Sequence, residues 1–205
     1  MCRVGGTDAM QSGQIPIFPL HTVLFPGGPL PLRVFEPRYT DMISKCLKSN
    51  HGFGVCLIRE GNETGPAATS HDVGTIAKIE DWHMRRDGLL GIEVKGERKF
   101  HIKRQSIASD QLLTAEIEYL DDEPVIEVPP EFMELVDLLE ERVAQMGKRY
   151  SKTELKFTDA SWVGYRLAEL LPLRLSQKQY FLQLEEPLRR LEHLSDVLQH
   201  LDMTC

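Results

Sequence analysis

The chain has 205 residues, 41% of them hydrophobic and 27% charged, with a formal net charge of −7. That length can bury a sizeable core, as one large domain or two small ones. The composition is that of an ordinary globular protein, and no apolar run approaches the ~20 residues a membrane-spanning helix needs. Residues 1–13 are small and polar and are expected to be disordered. They lack the basic start and apolar core of a secretory signal, so the default expectation is a cytoplasmic protein.

Residues 15–39 are too apolar for a linker and too proline-rich for a central strand. Pro16, Pro19, Pro26, Pro29 and Pro31 have no backbone N–H, so pairing here should be short, irregular or at a sheet edge. Glu36-Pro37 then opens a helix, with proline at the first helical position. Tyr39, Met42, Ile43, Cys46 and Leu47 recur at helical spacing until Asn50-His51-Gly52. Strand patterning follows. Residues 53–58 read as a buried strand, 59–72 as a loop, and 74–84 and 89–95 as the arms of a hairpin turning at Arg85-Arg86-Asp87-Gly88. Gly96-Glu97 reads as a further turn, 98–106 as another strand and 112–119 as the last.

Asp121-Asp122-Glu123-Pro124 is the expected boundary, because beyond it the apolar period becomes helical. One helix follows Pro129-Pro130 and fades at Met146-Gly147-Lys148. A second is capped by Thr158-Asp159 and stops before Pro172. Ser176 and Gln179 fit a capping box, and Pro187 opens or kinks the last helix.

The motif Pro16-Ile17-Phe18-Pro19-Leu20, then Val23-Leu24-Phe25-Pro26-Gly27, then Leu32-Arg33-Val34-Phe35-Glu36-Pro37-Arg38-Tyr39 resembles the opening of the Lon protease amino-terminal domain. The resemblance continues through Gly74-Thr75-Ile76-Ala77 and Gly96-Glu97-Arg98-Lys99-Phe100, the latter similar to the family's glycine-x-arginine-x-phenylalanine turn. It implies an α+β fold: a PUA-like, mostly antiparallel β-barrel over residues 14–122 with one early helix, then a helical bundle over 125–205. It also implies a substrate-selecting role, here as a freestanding domain without the ATPase and protease modules of full-length Lon.

The chain carries no phosphate-cradling glycine loop, no Gly-x-Ser-x-Gly elbow and no His-Glu-x-x-His helix, so no catalytic residue and no cofactor is expected. The seven histidines have no ligand-like spacing, and Cys2, Cys46, Cys56 and Cys205 are scattered, so no metal site is expected and the thiols read as reduced. His51 and Cys56 could in principle pair as base and nucleophile, but Cys46 and Cys56 lie in apolar runs that favour inert, buried thiols.

Charge is unevenly placed: residues 1–73 hold 6 basic and 6 acidic side chains, 74–104 hold 8 and 5, and 105–205 hold 10 and 20. The acidic tail disfavours general nucleic-acid affinity. His83, Arg85, Arg86, Lys99, Lys103 and Arg104 beside Trp82 could form a basic face for RNA, but Glu80, Asp81, Asp87 and Glu97 interrupt it. Within Phe35-Glu36-Pro37-Arg38-Tyr39, Glu36 and Arg38 are read as an ion pair, or as partners of free backbone groups, holding a corner rather than clamping a ligand. The resulting expectation is a non-catalytic domain that recognises unfolded or partner protein segments, possible as an adaptor in quality control, with Tyr39, Phe53, Trp82 and Trp162 as candidate apolar contacts. A small hydrolase with an unrecognised site and an RNA-binding PUA-like module are the rival readings.

Overall fold

The structure, a computed structural model, describes residues 14–150 and 153–202. The expectation of disorder for residues 1–13 falls outside them. Strands β1 (Gln14–Leu20) and β2 (Pro29–Val34) lead into helix α1 (Pro37–Ser49). Strands β3 (Phe53–Glu60), β4 (Thr69–Ser70), β5 (Val73–Met84), β6 (Leu90–Ile107) and β7 (Leu113–Tyr119) follow. Helices α2 (Met133–Met146), α3 (Ala160–Leu170), α4 (Leu175–Gln183) and α5 (Pro187–Asp202) complete the described chain.

The sheet is mostly antiparallel. β1 pairs β7, β7 pairs β6, β6 pairs β5 and β5 pairs β3, all antiparallel. A parallel pairing of β3 with β1 then closes the circuit. Among the described residues β2 pairs only β6, and β4 only β3. The prolines are accommodated in two ways. β2, with Pro29 and Pro31, is an edge strand, as expected. β1 is not, but its first half, Gln14 to Ile17, meets β7, whereas its second half, Ile17 to Leu20, meets β3. Pro16 and Pro19 therefore each border a single partner, and neither interrupts a doubly paired ladder.

Gly96-Glu97 is not a turn. β6 runs unbroken through it, with a register shift against β5 between Thr75 and Ala77. The glycine is needed for another reason. The loop after Phe25 crosses here, with the Gly27 N–H donating to the Gly96 carbonyl at 2.8 Å and the Gly96 N–H to the Gly28 carbonyl at 2.9 Å. A Cβ on Gly96 would lie 2.2 Å from the Phe25 carbonyl oxygen. The true turn is at Arg85 to Leu89, where Gly88 takes φ +78° and the Arg85 N–H bonds the Leu89 carbonyl at 2.9 Å.

Three apolar clusters hold the fold. Ile17, Cys56, Phe100, Leu113 and Ala115 fill one between the circuit's strands. α1 lays Tyr39, Met42, Ile43 and Cys46 against Phe18, Phe53, Ile92 and Val94 in a second. The third packs α2 to α5 together and takes in Val23, Phe25, Leu57 and Val73 from the strand half. At about 1.5–3 kcal/mol for each large side chain fully buried, these shared residues bind the two halves appreciably. Asp159 caps α3, accepting from the Ser161 N–H at 3.0 Å. The bond expected of Ser176 and Gln179 is made two residues earlier, from the Arg174 N–H to Gln177 Oε1 at 3.0 Å. Gln179 is instead buried, donating to the Val73 carbonyl at 3.0 Å, because its face of α4 meets the strands.

Candidate functional site

The proline-rich opening builds a groove of about 330 Å³. Phe18, Leu20 and Tyr39 line its base, Leu30, Leu32, Val34 and Phe35 one side, and Thr22, Glu63 and Thr64 the other, with Arg33 and Glu36 adjoining. The rings of Phe18 and Tyr39 stack at 4.0 Å, so the base is rigid as well as apolar. Phe35 is 53% exposed.

The apolar rows continue across the sheet through buried Ile92 and Val34. Leu32 stands opposite Ile92 and Ile92 opposite Trp82, while Val34, Leu90 and Met84 form the next row. Directly opposed residues share a face, so both rows lie on one side of the β2–β6–β5 ribbon. At its end Trp82 and Met84 are 56% and 66% exposed.

Buried Arg38 fixes the corner beside the groove. Its Nη2 lies 2.9 Å from Glu36 Oε2, its Nη1 donates to the Gln111 carbonyl at 2.9 Å, and its guanidinium sits 4.7 Å from the Tyr39 ring centroid. Burial pushes the Tyr39 hydroxyl above its ordinary range; Arg38 opposes the shift, and Glu36 and Glu63 add to it. Tyr39 thus stays a neutral phenol, and the groove base carries no charge of its own.

Phe35, Glu36, Arg38 and Tyr39 are brought together as a corner, but the four candidate contacts are dispersed. Tyr39 is in the groove and Trp82 at the far end of the ribbon. Phe53 is buried, 6.1 Å from the Phe18 ring. Trp162, on α3, is buried against Phe157 and lines a different cleft. Sequence reasoning missed Leu30 and Leu32, whose alternation with Pro29 and Pro31 was the available signal. It missed Glu63 and Thr64 too, since nothing local shows that the loop after β3 reaches β1.

The second cleft, about 340 Å³, lies between strands and helices over a buried ionic cluster. Glu123 accepts from Arg190 Nη1 at 2.9 Å and Nη2 at 2.5 Å, from Lys99 Nζ at 2.9 Å, from Ser161 Oγ at 2.8 Å and from the Tyr165 hydroxyl. Burial alone would raise the Glu123 carboxyl, but the Arg190 hydrogen bonds and charge, with Lys99 and Tyr165, hold it at about 2. Lys99, expected on a basic face, is buried in this cluster, because its strand faces the helices there. Two of the other cations have acidic neighbours: Arg85 Nε is 3.4 Å from Asp87 and Lys103 Nζ 3.2 Å from Glu118.

Among the described residues no group of three His, Cys, Asp or Glu is placed to hold a metal ion. Burial raises the thiols of both Cys46 and Cys56, which disfavours the nucleophilic thiolate. His51 is engaged locally, its Nδ1 2.6 Å from the Ser49 carbonyl. No described helix is long and apolar enough to cross a membrane.

The model of the ATP-dependent protease La (Lon) substrate-binding domain matches residues 14–200. Lon protease 1 of Bdellovibrio bacteriovorus is 28% identical over 93% of this chain and 25% of its own length. Lon protease 3 of Sorangium cellulosum is 26% identical over 95% of this chain and 24% of its own. The chain thus spans about a quarter of these relatives. The crystal structure of a Lon N-terminal domain protein from Xanthomonas campestris superposes with a TM-score of 0.76 at 36% identity, covering 90% of this chain and 98% of that one. The N-terminal domain of the Mycobacterium avium complex Lon protease shares the fold, with a TM-score of 0.57 at 20% identity over 90% and 97%.

Proposed function

The chain belongs to the Lon substrate-binding domain family, and from that premise we propose that it recognises unfolded or partner protein segments in the groove between β1, β2 and α1, without performing chemistry itself. The observation that carries this reading is the apolar groove lined by Phe18, Leu20, Leu30, Leu32 and Tyr39 with exposed Phe35 at its rim, with exposed Trp82 and Met84 on the neighbouring strand β5. An apolar groove with large exposed side chains near it is a common form of binding site. Pro29 and Pro31 offer no N–H, so an incoming strand would find few donors along β2. Side chains entering the groove, rather than sheet extension, then supply the binding energy. Two or three buried apolar side chains, less the cost of ordering the segment, give a dissociation constant on the order of micromolar to millimolar. Weak, sequence-tolerant capture suits an adaptor in cytoplasmic quality control.

The closed strand circuit supports reading residues 14–122 as a PUA-like barrel, and the mutual packing of α2 to α5 supports a helical bundle over 125–205. RNA is the weaker partner, since burial removes Lys99 from the basic face and acidic side chains accompany Arg85 and Lys103. The test is an amide-resonance titration with a panel of unfolded polypeptides. Shifts are expected at residues 30–39 and 82–92, and Phe35→Asp, at the exposed rim of the groove, should weaken binding at least about tenfold with thermal unfolding little changed. Shifts confined to other surfaces, or none, would overturn the proposal.

A further inference from the structure

One side of the groove is a loop with the features of a strap. Residues 61–67 leave β3 and return to β4, and the ends are pinned by the pairing of Glu60 with Thr69 and Ile58 with Ser70. Gly61 at φ +105° and Gly65 at φ +88° punctuate the exposed span between these anchors. At both angles an ordinary side chain is strained, and a Cβ on Gly65 would meet nothing within 4 Å, so backbone shape rather than packing requires glycine there. From this span Glu63 and Thr64 reach across to line the groove. A hydrogen bond from the His21 N–H, just after β1, to Glu63 Oε1 at 2.7 Å holds the loop there.

Resting on the groove reading above, we infer that residues 61–67 form a strap that unlatches from His21 to admit a protein segment and relatches through Glu63 to hold it. The geometry suits this. The anchors are ladder pairs, the span is short, and a charge-assisted bond joins it to the residue just after β1. Opening therefore needs the loss of that bond and rotation about residues that already adopt unusual angles, and residues 61–66 are themselves exposed, so the span withdraws no core side chain of its own. Motions of this kind commonly set the residence time of a bound ligand. Glu63 also bears on the groove base, since its charge raises the Tyr39 hydroxyl, placing strap and base within electrostatic reach.

The test uses the whole chain and a soluble peptide of alternating leucine and serine, with Glu63→Ala to remove the latch and Glu63→Gln to keep an acceptor oxygen for the His21 N–H. In the free protein, amide exchange at His21 and residues 62–65 should quicken about fivefold in Glu63→Ala, the effect of one partly exposed hydrogen bond, and return toward wild type in Glu63→Gln. Peptide should slow exchange in the wild-type loop, and should dissociate about fivefold faster from Glu63→Ala. If peptide protects the amides of Leu30 and Leu32 while loop exchange and dissociation ignore Glu63, the strap is overturned and the groove stands. If peptide protects neither, the groove reading fails and the strap falls with it.

Discussion

Glu123 shows how far one residue's neighbours can be from its sequence context. In Asp121-Asp122-Glu123-Pro124 it reads as part of a solvated acidic linker, yet its side chain is buried among Lys99, Ser161, Tyr165 and Arg190. Its carboxyl is held at about 2 against an ordinary 4.5. A depressed folded-state value means the unfolded chain takes up a proton first as pH falls. The stabilisation is complete above about pH 4.5 and is lost between there and about pH 2. The shift corresponds to about 3 kcal/mol. Glu123→Gln keeps the shape but leaves two buried cations short of a counter-charge, so it should cost about 3 kcal/mol at neutral pH and shallow the acid limb of stability. Urea unfolding at pH 7 and pH 3 checks both, with the gap between wild type and variant narrowed by about half at the lower pH. Glu36 and Arg38, by contrast, were legible as a pair, because both partners stand at one strand-to-helix corner.

At the scale of elements, periodicity located most strands and helices, and punctuation misled at Gly96-Glu97 and displaced the capping box by two residues. Asp87-Gly88 marks a real turn, whereas Gly96-Glu97 sits inside β6. A glycine whose role is to let another segment pass looks, in sequence, like one that lets its own chain bend. Substitution separates the two. Gly96→Ala would drive a Cβ to 2.2 Å from the Phe25 carbonyl oxygen and displace the 2.8 and 2.9 Å bonds to residues 27 and 28. It should destabilise by about 3 kcal/mol or more. Gly88→Ala meets nothing within 4 Å and should cost only about 1 kcal/mol, from its positive φ. Thermal unfolding of the two variants under one condition checks the order.

At the scale of the whole molecule, strand and helical halves share both a core and a charge cluster. Val23, Phe25, Leu57 and Val73 belong to the apolar cluster of α2 to α5, and Arg190 reaches from α5 to the linker. The protein should therefore unfold as one cooperative unit. Far-ultraviolet ellipticity and tryptophan fluorescence, the latter reporting Trp82 and Trp162, should give coincident urea transitions, and residues 14–122 alone should be markedly less stable than the whole chain. Two separated transitions would refute this. The sequence by itself determined that a strand-rich half precedes a helical half, the corner at Glu36 and Arg38, and the family, because each depends on residues close along the chain. The tertiary structure decided that β1 is doubly flanked, that Lys99 and Glu123 are buried, and that Leu32, Tyr39 and Glu63 face one groove. Those outcomes depend on contacts between residues tens of positions apart, which local periodicity and propensity do not encode.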